Sequence, residues 1–441
     1  MNKDIFNVNP SAKLVAWIQG ENLGPKELVA FGARGTIKRG DPYTLYREAL
    51  ESGDINNTIN RILNVTIGSG HIDVLDQATY TFVFSDIPRL ATLFLVSPPY
   101  LSHLQQSMRY VEPYGVYLPP ELNEENEIRQ AMEEGIKLYY KLVELGAPKE
   151  DARFILPLYT VTNIQTTGNV REYTHLYLMA RDQGVPPICR ELVNMAIDQI
   201  DKELTMDREA NYNRMRYFPA PNLFNLEDHL SSLIERYGES NVTLLSYNHP
   251  IDIDENMLKK AIKYGDESYL GVLKHISYTF LLRMSIVTYH QAVRQRTWQH
   301  HVESIYKALN RLDYITPPSI IKLGLHGKFR EYVEKLYKLY HTWRETYPTN
   351  ILIGIVSHAH TVYDLVKIDG WNYIGALPLR RCLRAQWEIR QLMSEVSRLI
   401  SRVNPKLGKY SLPTCRTLGV CYEKRPCEHV DKLLAMEPII K

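Results

Sequence analysis

Residues 80–107, YTFVFSDIPRLATLFLVSPPYLSHLQQS, recur in outline as residues 278–304, YTFLLRMSIVTYHQAVRQRTWQHHVES. The two Tyr-Thr-Phe openings lie 198 positions apart, and Ser97–Ser107 aligns with Arg294–Ser304 at 197. Each copy opens on an apolar stretch, which predicts a strand that leads into a buried helix. The chain therefore contains two versions of one structural unit.

A helix on the C-terminal side of each stretch follows the same register. Pro119-Pro120 precedes the first helix and Pro317-Pro318 precedes the second, 198 positions later. The apolar stripe of the first helix is Met132, Ile136, Tyr139 and Val143, and at a constant 197 it maps onto Phe329, Val333, Leu336 and Tyr340. Farther on, Arg190 maps onto Arg390 at 200. A shared offset over this length indicates an internal duplication.

The period is too long for a solenoid repeat, so the duplication predicts two homologous domains. We expect an α+β protein in which each domain is a sheet flanked by long helices, and we expect the pair to form a pseudo-twofold dimer. The predicted domains are 1–225 and 238–404, followed by a C-terminal tail, 405–441. A further helix is predicted at Pro25–Arg34.

Composition limits the classes of function. The 441 residues are 44% apolar and 23% charged, and 52 basic against 50 acidic residues leave a net charge of +2. This balance provides no broad field for nucleic acid or membrane, so functional arginines must act within a pocket. No run long enough for a membrane span occurs and the N-terminus lacks a secretory signal, so a cytoplasmic location is expected.

The five cysteines are expected to be reduced, because three of them fall near the C-terminus and do not form a disulfide framework. Cys415, Cys421 and Cys427 lack the close Cys-x-x-Cys spacing of a zinc site, so no metal is predicted. The 30 tyrosines fall on helical core spacings rather than along a basic stripe, which disfavours nucleic-acid binding.

Arg294 and Arg296 are the first candidates for chemistry. Two arginines at i and i+2 cannot share a helix face, but at a helix end or in an extended segment they can converge on one polyanion. A solvated basic segment without a ligand is the alternative. Spacing alone leaves both interpretations open.

The motifs resemble those of the flavin-dependent thymidylate synthases, which carry Arg-His-Arg, seven residues and Ser, with Gln ahead of the triplet and x-Arg-Tyr after the Ser. The second copy has Gln291, Arg294-Gln295-Arg296 and Ser304. The first has Gln106-Ser107-Met108-Arg109-Tyr110, but Ser97-Pro98-Pro99 replaces the triplet. Further similar segments are Gly70–Asp76, Gly146–Pro157, Thr162–Leu176, Val242–Tyr247 and Leu379–Leu392, so the resemblance covers most of the chain.

The departures from the family are complementary. The second copy has Ser304-Ile305-Tyr306 for Ser-x-Arg and Asn350–Ile353 for Glu-Asp-Ala-Arg, whereas the first lacks the triplet, and Val185–Pro187 is expected to interrupt its Ala-Gln helix. Because the family's active sites lie between subunits, we hypothesise one composite site per chain. The second copy would supply Gln291, Arg294, Gln295, Arg296, Arg380 and His275. The first would supply Gln105, Ser107, Arg109, Arg153, Asn169 and Arg171.

The resemblance implies a role for each residue. Arg294, Arg380 and Gln291 are predicted to be catalytic, with the arginines holding and polarising the pyrimidine. The predicted substrate-binding residues are Gln105, Ser107, Arg109 and Arg153, which suit a nucleotide monophosphate. The predicted cofactor-binding residues are His275, Arg294, Gln295, Arg296, Asn169 and Arg171.

The implied reaction is reductive methylation of dUMP to dTMP, with FAD as cofactor and NADPH and methylenetetrahydrofolate as co-substrates. A homodimer of two-domain chains would imitate the family's tetramer. Gln295 stands where the family has histidine and cannot carry a proton, and Leu104 and Gln105 replace Asn and Glu. A non-catalytic paralogue that binds flavin or nucleotide is therefore the alternative.

Several candidates also have a purely structural explanation. Arg109 could pair with Glu112 and Arg153 with Glu150, while Arg380, Arg381 and Arg384 could form a solvated helix face. Asn169 could be a helix cap and His275 a core histidine. Gln105 and Gln291 could be ordinary polar neighbours.

Overall fold

The structure is a computed structural model that describes residues 4–205, 217–227 and 229–440. Contacts divide the chain into two compact units. Unit 1 comprises Met1–Ala220, Phe224–Leu226 and Thr316–Ser357. Unit 2 comprises Pro221–Leu223, Glu227–Ile315 and His358–Lys441. The helix after Pro317-Pro318 thus packs with unit 1, although its sequence belongs to the second copy.

Unit 1 contains a four-stranded antiparallel sheet in the order β1-β2-β4-β3 within its described residues. The strands are β1 (Ser11–Trp17), β2 (Thr79–Pro88), β3 (Ser102–Gln105) and β4 (Val161–Asn169). β2 alternates buried and half-buried residues over most of its length, so one face meets the core. β1 is an edge strand, and Gln199 covers its outer backbone by accepting from Leu14 N and donating to Ala12 O.

Helices of unit 1 cover this sheet or pack beside it. They are α1 (Pro25–Gly35), α2 (Pro42–Glu51), α3 (Ile55–Gly68), α4 (Arg89–Leu95), α5 (Asn126–Glu144), α6 (Lys149–Ala152), α7 (Val170–Ala180), α8 (Pro187–Ile197), α14 (Pro318–Lys322), α15 (His326–Trp343) and α16 (Thr349–Leu352). α7 begins where β4 ends because Asn169 caps it, accepting from Glu172 N at 3.0 Å. Buried Tyr173 of α7 then packs edge-on against Phe82 of β2.

Two long helices meet in unit 1. α5 and α15 bury the predicted apolar stripes, except that Val143 is only half-buried. Tyr332 of α15 is buried against α5, where its hydroxyl donates to Ala131 O at 2.8 Å. An ion pair between Lys335 and Glu134, 2.6 Å apart, lies on the same side of the helix pair.

Unit 2 repeats the sheet, in the order β5-β6-β8-β7. Its strands are β5 (Val242–Asn248), β6 (Ser277–Ser285), β7 (Gln299–Val302) and β8 (Thr361–Asp369). Matching register places Tyr278 opposite Ile368 as Tyr80 stands opposite Gly168. Even the irregularity recurs, because the first strand shifts register between Leu14 and Ala16 in unit 1 and between Leu244 and Ser246 in unit 2.

The helices of unit 2 follow the same order around their sheet. They are α9 (Ser231–Tyr237), α10 (Glu255–Tyr264), α11 (Glu267–Val272), α12 (Ile286–Ala292), α13 (Ile305–Ala308), α17 (Gly370–Gly375), α18 (Leu377–Arg381), α19 (Trp387–Val403), α20 (Pro405–Gly408), α21 (Thr414–Thr417) and α22 (Val430–Leu434). Asp369 caps α17 as Asn169 caps α7. Among the described residues, no helix has the length and apolar character needed to cross a bilayer.

These elements confirm the predicted α+β class, the helix from Pro25 and the strand-to-helix units that open each copy. One expectation was wrong. Val185–Pro187 does not interrupt the Ala-Gln helix of the first copy, because α8 begins at Pro187 just as α19 begins at Trp387. Proline is tolerated at the first helical position, where its missing N–H has no intrahelical partner to lose. The domain limits 1–225 and 238–404 stay predictions, and residues 206–216 of the first predicted domain lie outside the described residues.

The close approach of α5 and α15 predicts an unusual response to a helix substitution. Replacing Gly by Ala inside a helix normally adds up to about 1 kcal/mol of stability. A Cβ on Gly135 would instead collide with the Tyr332 hydroxyl. Gly135→Ala should therefore lower the free energy of unfolding by about 1–3 kcal/mol, measured by urea denaturation.

Gly32 provides the matched control. It lies inside α1 and an added Cβ there meets nothing within 4 Å. Gly32→Ala should leave stability unchanged or raise it. Equal stability of Gly135→Ala and wild type would show that α5 and α15 do not pack as described.

Candidate functional site

The basic triplet lies in the turn that joins α12 to β7. α12 ends at Ala292, and Arg294 and Arg296 follow before β7 starts at Gln299. The turn is held by α17, since Thr297 Oγ1 and Asn372 Oδ1 are hydrogen-bonded at 2.5 Å and Asn372 Nδ2 donates to Thr297 O at 3.3 Å. The two arginines therefore follow a helix end, which is one of the two backbone settings in which they could converge on one anion.

Arg380, at the end of α18, lies beside this turn. Burial lowers the pKa of Arg380, and the positive charge of Arg294 lowers it further. Burial likewise lowers the pKa of Arg294, with a second contribution from Arg296. Mutual repulsion among desolvated cations is unfavourable, and a bound anion relieves it. We call Arg294, Gln295, Arg296 and Arg380 the arginine corner.

Gln295 links the triplet to Arg380. With its amide oxygen turned toward Arg380, Gln295 accepts hydrogen bonds from Nε at 2.7 Å and from Nη2. The opposite orientation would place the amide NH2 against these two donors, so the oxygen is assigned to this side. The structure thereby brings together four of the predicted residues of the second copy.

Neighbouring polar residues of the second copy have other surroundings. Arg381 is a structural residue, because it donates to Ser397 Oγ at 2.9 Å and to Ser411 Oγ at 2.6 Å. Gln291 donates to Val287 O of its own helix at 3.2 Å. His275 is exposed at the end of a 3-10 turn, so the core-histidine alternative is wrong. Ligand contacts of Gln291 and His275 stay predictions.

The predicted phosphate residues of the first copy meet around Glu150. Arg109 Nε donates to Glu150 Oε2 at 2.7 Å, and its backbone N–H donates to Ser107 Oγ at 3.3 Å. Arg153 is buried and its Nε donates to Glu150 O at 3.1 Å. Glu150 therefore gathers both cations, through its carboxylate and its carbonyl respectively. The expected alternative partner of Arg109, Glu112, pairs with Lys149 instead.

Two more polar groups of unit 1 are buried, and one of them lies close enough to Arg153 to experience its charge. Gln105 Nε2 is buried at the end of β3 and has no hydrogen-bond partner among the described residues. Tyr139 of α5 is also buried, and burial raises its pKa to about 12 while the charge of Arg153 opposes the increase. Tyr139 was treated only as a core residue in the sequence, because its spacing fits the apolar stripe.

Asn169 and Arg171 are both tied to Asp76. Asn169 Nδ2 donates to Asp76 Oδ1 at 2.9 Å and Arg171 Nη1 donates to Asp76 Oδ2 at 3.1 Å. The cap alternative for Asn169 is confirmed by its bond to α7. Arg171 also lies over the ring of Tyr217, which stacks on His175 with ring centroids 4.8 Å apart. Cofactor contacts of both residues stay predictions.

The C-terminal cysteines lie near one another. Burial raises the pKa of Cys415, with smaller contributions from Cys382, Cys421 and Cys427. The described part of the chain holds no group of three or more His, Cys, Asp or Glu side chains placed to hold a metal ion. Two parts of the C-terminal tail contact each other, because Arg416 Nη1 donates to Met436 O at 3.2 Å.

Comparison with known proteins agrees with the duplicated fold. The family described as "Thymidylate synthase complementing protein" matches the chain twice, at residues 20–204 and 232–406. These matches cover most of the chain and show that the protein belongs to this family, with two copies of its domain.

Each individual relative matches only part of this chain. The flavin-dependent thymidylate synthase of Pyrococcus abyssi is 32% identical over 166 residues, which are 35% of this chain and 66% of the relative. The Geobacter sulfurreducens enzyme of that name is 34% identical over 139 residues, 30% of this chain and 58% of the relative. The aligned regions thus span less than two thirds of these relatives. A UMP/dUMP methylase, PolB from Streptomyces cacaoi, aligns at 16% identity and a TM-score of 0.37, over 48% of this chain and 96% of PolB.

The pairing of Arg109 with Glu150 predicts a measurable stability effect. Both side chains are less than one third exposed, at 28% and 27%. Glu150→Gln removes the charge partner of Arg109 and should lower the free energy of unfolding by about 1–2 kcal/mol in a urea titration. Glu133→Gln, in the exposed pair with Lys137, is the control and should change stability by less than about 0.5 kcal/mol. Equal effects of the two substitutions would contradict the partly buried pairing.

Proposed function

We propose that this protein is a flavin-dependent thymidylate synthase that methylates dUMP to dTMP, using methylenetetrahydrofolate and NADPH. The observation that carries the proposal is the arginine corner, which assembles the residues of the family's triplet with Arg380. Membership of the family and the names of its relatives support the same reaction. The arrangement offers guanidinium donors suited to phosphate and carbonyl oxygens.

FAD fits the donor set of the arginine corner. Its diphosphate is a dianion, and Arg294 and Arg296 present cations at the end of α12 with Gln295 between them. Bound flavin would supply the hydride for the reduction, and methylenetetrahydrofolate would supply the one-carbon unit. The protein's own contribution is to hold both ligands, to exclude water and to polarise the pyrimidine.

Residues of unit 1 are proposed to bind the nucleotide. Ser107, Arg109 and Arg153 supply a hydroxyl and two cations for the phosphate, and Gln105 supplies a buried amide. Arg109 would have to share its guanidinium between Glu150 and the phosphate. Arg380 and Arg294 are proposed to stabilise negative charge on the pyrimidine carbonyl oxygens as the ring reacts. Because each copy lacks what the other retains, we propose one flavin and one dUMP per chain.

A binding protein without turnover is the second candidate. It is favoured by the neutral amide of Gln295 in the histidine position and by the existing ion pair of Arg109 with Glu150. Such a protein would bind flavin or nucleotide and release no product. We further propose a cytoplasmic homodimer, to be checked by light scattering on the purified chain.

The function is tested with purified protein. The expected protein is yellow, with about one FAD per chain, and releases tritium from [5-³H]dUMP when NADPH and methylenetetrahydrofolate are present. Flavin and nucleotide binding without tritium release would support the second candidate. Failure to bind either ligand would exclude both.

Two substitutions separate the ligands. Arg294→Ala should abolish flavin binding, because it removes a cation from the arginine corner. Arg109→Ala should retain flavin and raise the KM for dUMP by roughly 10- to 100-fold, the loss expected for one charge-assisted hydrogen bond. Arg398→Ala is the control, since Arg398 pairs only with Glu395 on the exposed face of α19 among the contacts described. Normal ligand binding by both test variants would contradict the assignment.

A further inference from the structure

Gln295 lies where the donors of Arg380 require a hydrogen-bond acceptor. Its amide oxygen faces Nε and Nη2 of Arg380, with the Nε contact at 2.7 Å. Arg294 and Arg296 of the same turn and Arg380 of α18 place three cations around it. Among the described residues, Arg380 makes no other hydrogen bond, so Gln295 supplies the directional contact that orients this guanidinium.

Three kinds of side chain could accept from Arg380 here, and they differ in charge. A carboxylate would accept strongly but would cancel one positive charge of the arginine corner. An imidazole would accept only while neutral, and the neighbouring cations would lower its pKa below the ordinary value of about 6.5 without removing its titration. A primary amide accepts without charge and without titrating between about pH 5 and 9.

We infer that Gln295 is a positioning residue that holds Arg380 in one orientation independently of pH while leaving the positive charge of the arginine corner intact. The inference rests on the proposed function for its ligand, because Arg380 is proposed to contact the pyrimidine. The amide of Gln295 thus has a role of its own, as a hydrogen-bond acceptor that does not titrate. Its hydrogen bond to Arg380 persists as pH falls, because the amide does not titrate.

A series of substitutions at this position tests the inference. Binding of dUMP is measured by calorimetry from pH 5.5 to 8.5 for wild type, Gln295→His, Gln295→Leu and Gln295→Glu. Ionisation of the nucleotide phosphate changes affinity equally in all proteins, so each variant is compared with wild type at the same pH.

The variants have distinct expected outcomes. Gln295→His should match wild type within about 3-fold at pH 8.5 and bind at least 10-fold more weakly at the pH where NMR shows its introduced ring to be protonated, because the protonated ring cannot accept and adds a fourth cation. Gln295→Leu should bind about 10-fold more weakly at every pH. Gln295→Glu should weaken binding at pH 8.5 by neutralising one cation.

Gln299→His is the matched control. Gln299 is exposed at the start of β7, four residues from Gln295, so a histidine there adds the same titrating group outside the contact with Arg380. Its pH profile should parallel that of wild type. If Gln295→His with its introduced ring protonated still bound dUMP like wild type, or if Gln295→Leu bound dUMP as tightly as wild type, the positioning role would be refuted.

A second readout does not depend on the ligand. Arginine-selective ¹⁵N labelling gives an Nε–H signal for Arg380, identified by its loss in Arg380→Lys. In wild type without ligand this proton should exchange slowly with water at both pH 5.5 and pH 8.5, and in Gln295→Leu it should exchange at least 10-fold faster. If wild type binds no dUMP but shows this protected proton, the proposed function fails and the Gln295–Arg380 contact stands. Unprotected exchange in wild type overturns the contact itself.

Discussion

The arginines of the arginine corner repel one another in a partly desolvated turn. The elements of unit 2 around this turn must hold them together against that repulsion. Arg294 and Arg380 lose hydration, and each also experiences a neighbouring cation. Such an arrangement persists only if the surrounding elements are fixed. Buried Glu388 at the start of α19 ties down the start of α12 by accepting from Ser285 N at 2.8 Å and from Ser285 Oγ at 2.6 Å. The bonds of Arg381 to Ser397 and Ser411 hold α18 in the same way.

The arginines of the candidate site have different partners in the two units. In unit 1, Arg109 is matched by Glu150 and Arg171 by Asp76, so each cation already has an anion within the fold. In unit 2, the acceptor given to Arg380 is an uncharged amide. The amide leaves the full charge of Arg380 within the candidate site of unit 2, where an anionic ligand can interact with it.

Periodicity was sufficient to predict the repeated elements, because burial of one face imposes it directly on the sequence. The stretches from Tyr80 and Tyr278 are strands followed by buried helices, and the stripe from Met132 lies inside α5. The offset between copies changes from 198 at Tyr80 to 200 at Asn169 because the connecting segments differ in length. Proline at the start of α8 was misjudged because its effect depends on where the helix begins.

The hydrogen-bond partners of the candidate site residues could not be predicted from spacing along the sequence. Glu150 meets Arg109 across 41 positions, and Asp76 meets Arg171 across 95. Both acids lie in segments already quoted for the family resemblance, but nothing in those segments indicates which arginine each acid contacts. The contact of Gln295 with Arg380 depends on which way an amide points, and no linear pattern encodes that orientation.

The matching irregularities of β1 and β5 have a consequence for biosynthesis. Both strands skip one residue at the same point of their ladders, so either could be accepted by the wrong sheet while the chain is being made. Because the backbones of β1 and β5 have the same irregularity, side chains must distinguish the correct sheet from the wrong one. β1 carries Ala16 where β5 carries Ser246, and Gln199 hydrogen-bonds to the backbone of β1, so an exchange of strands between the halves of a nascent polypeptide would lose these specific contacts.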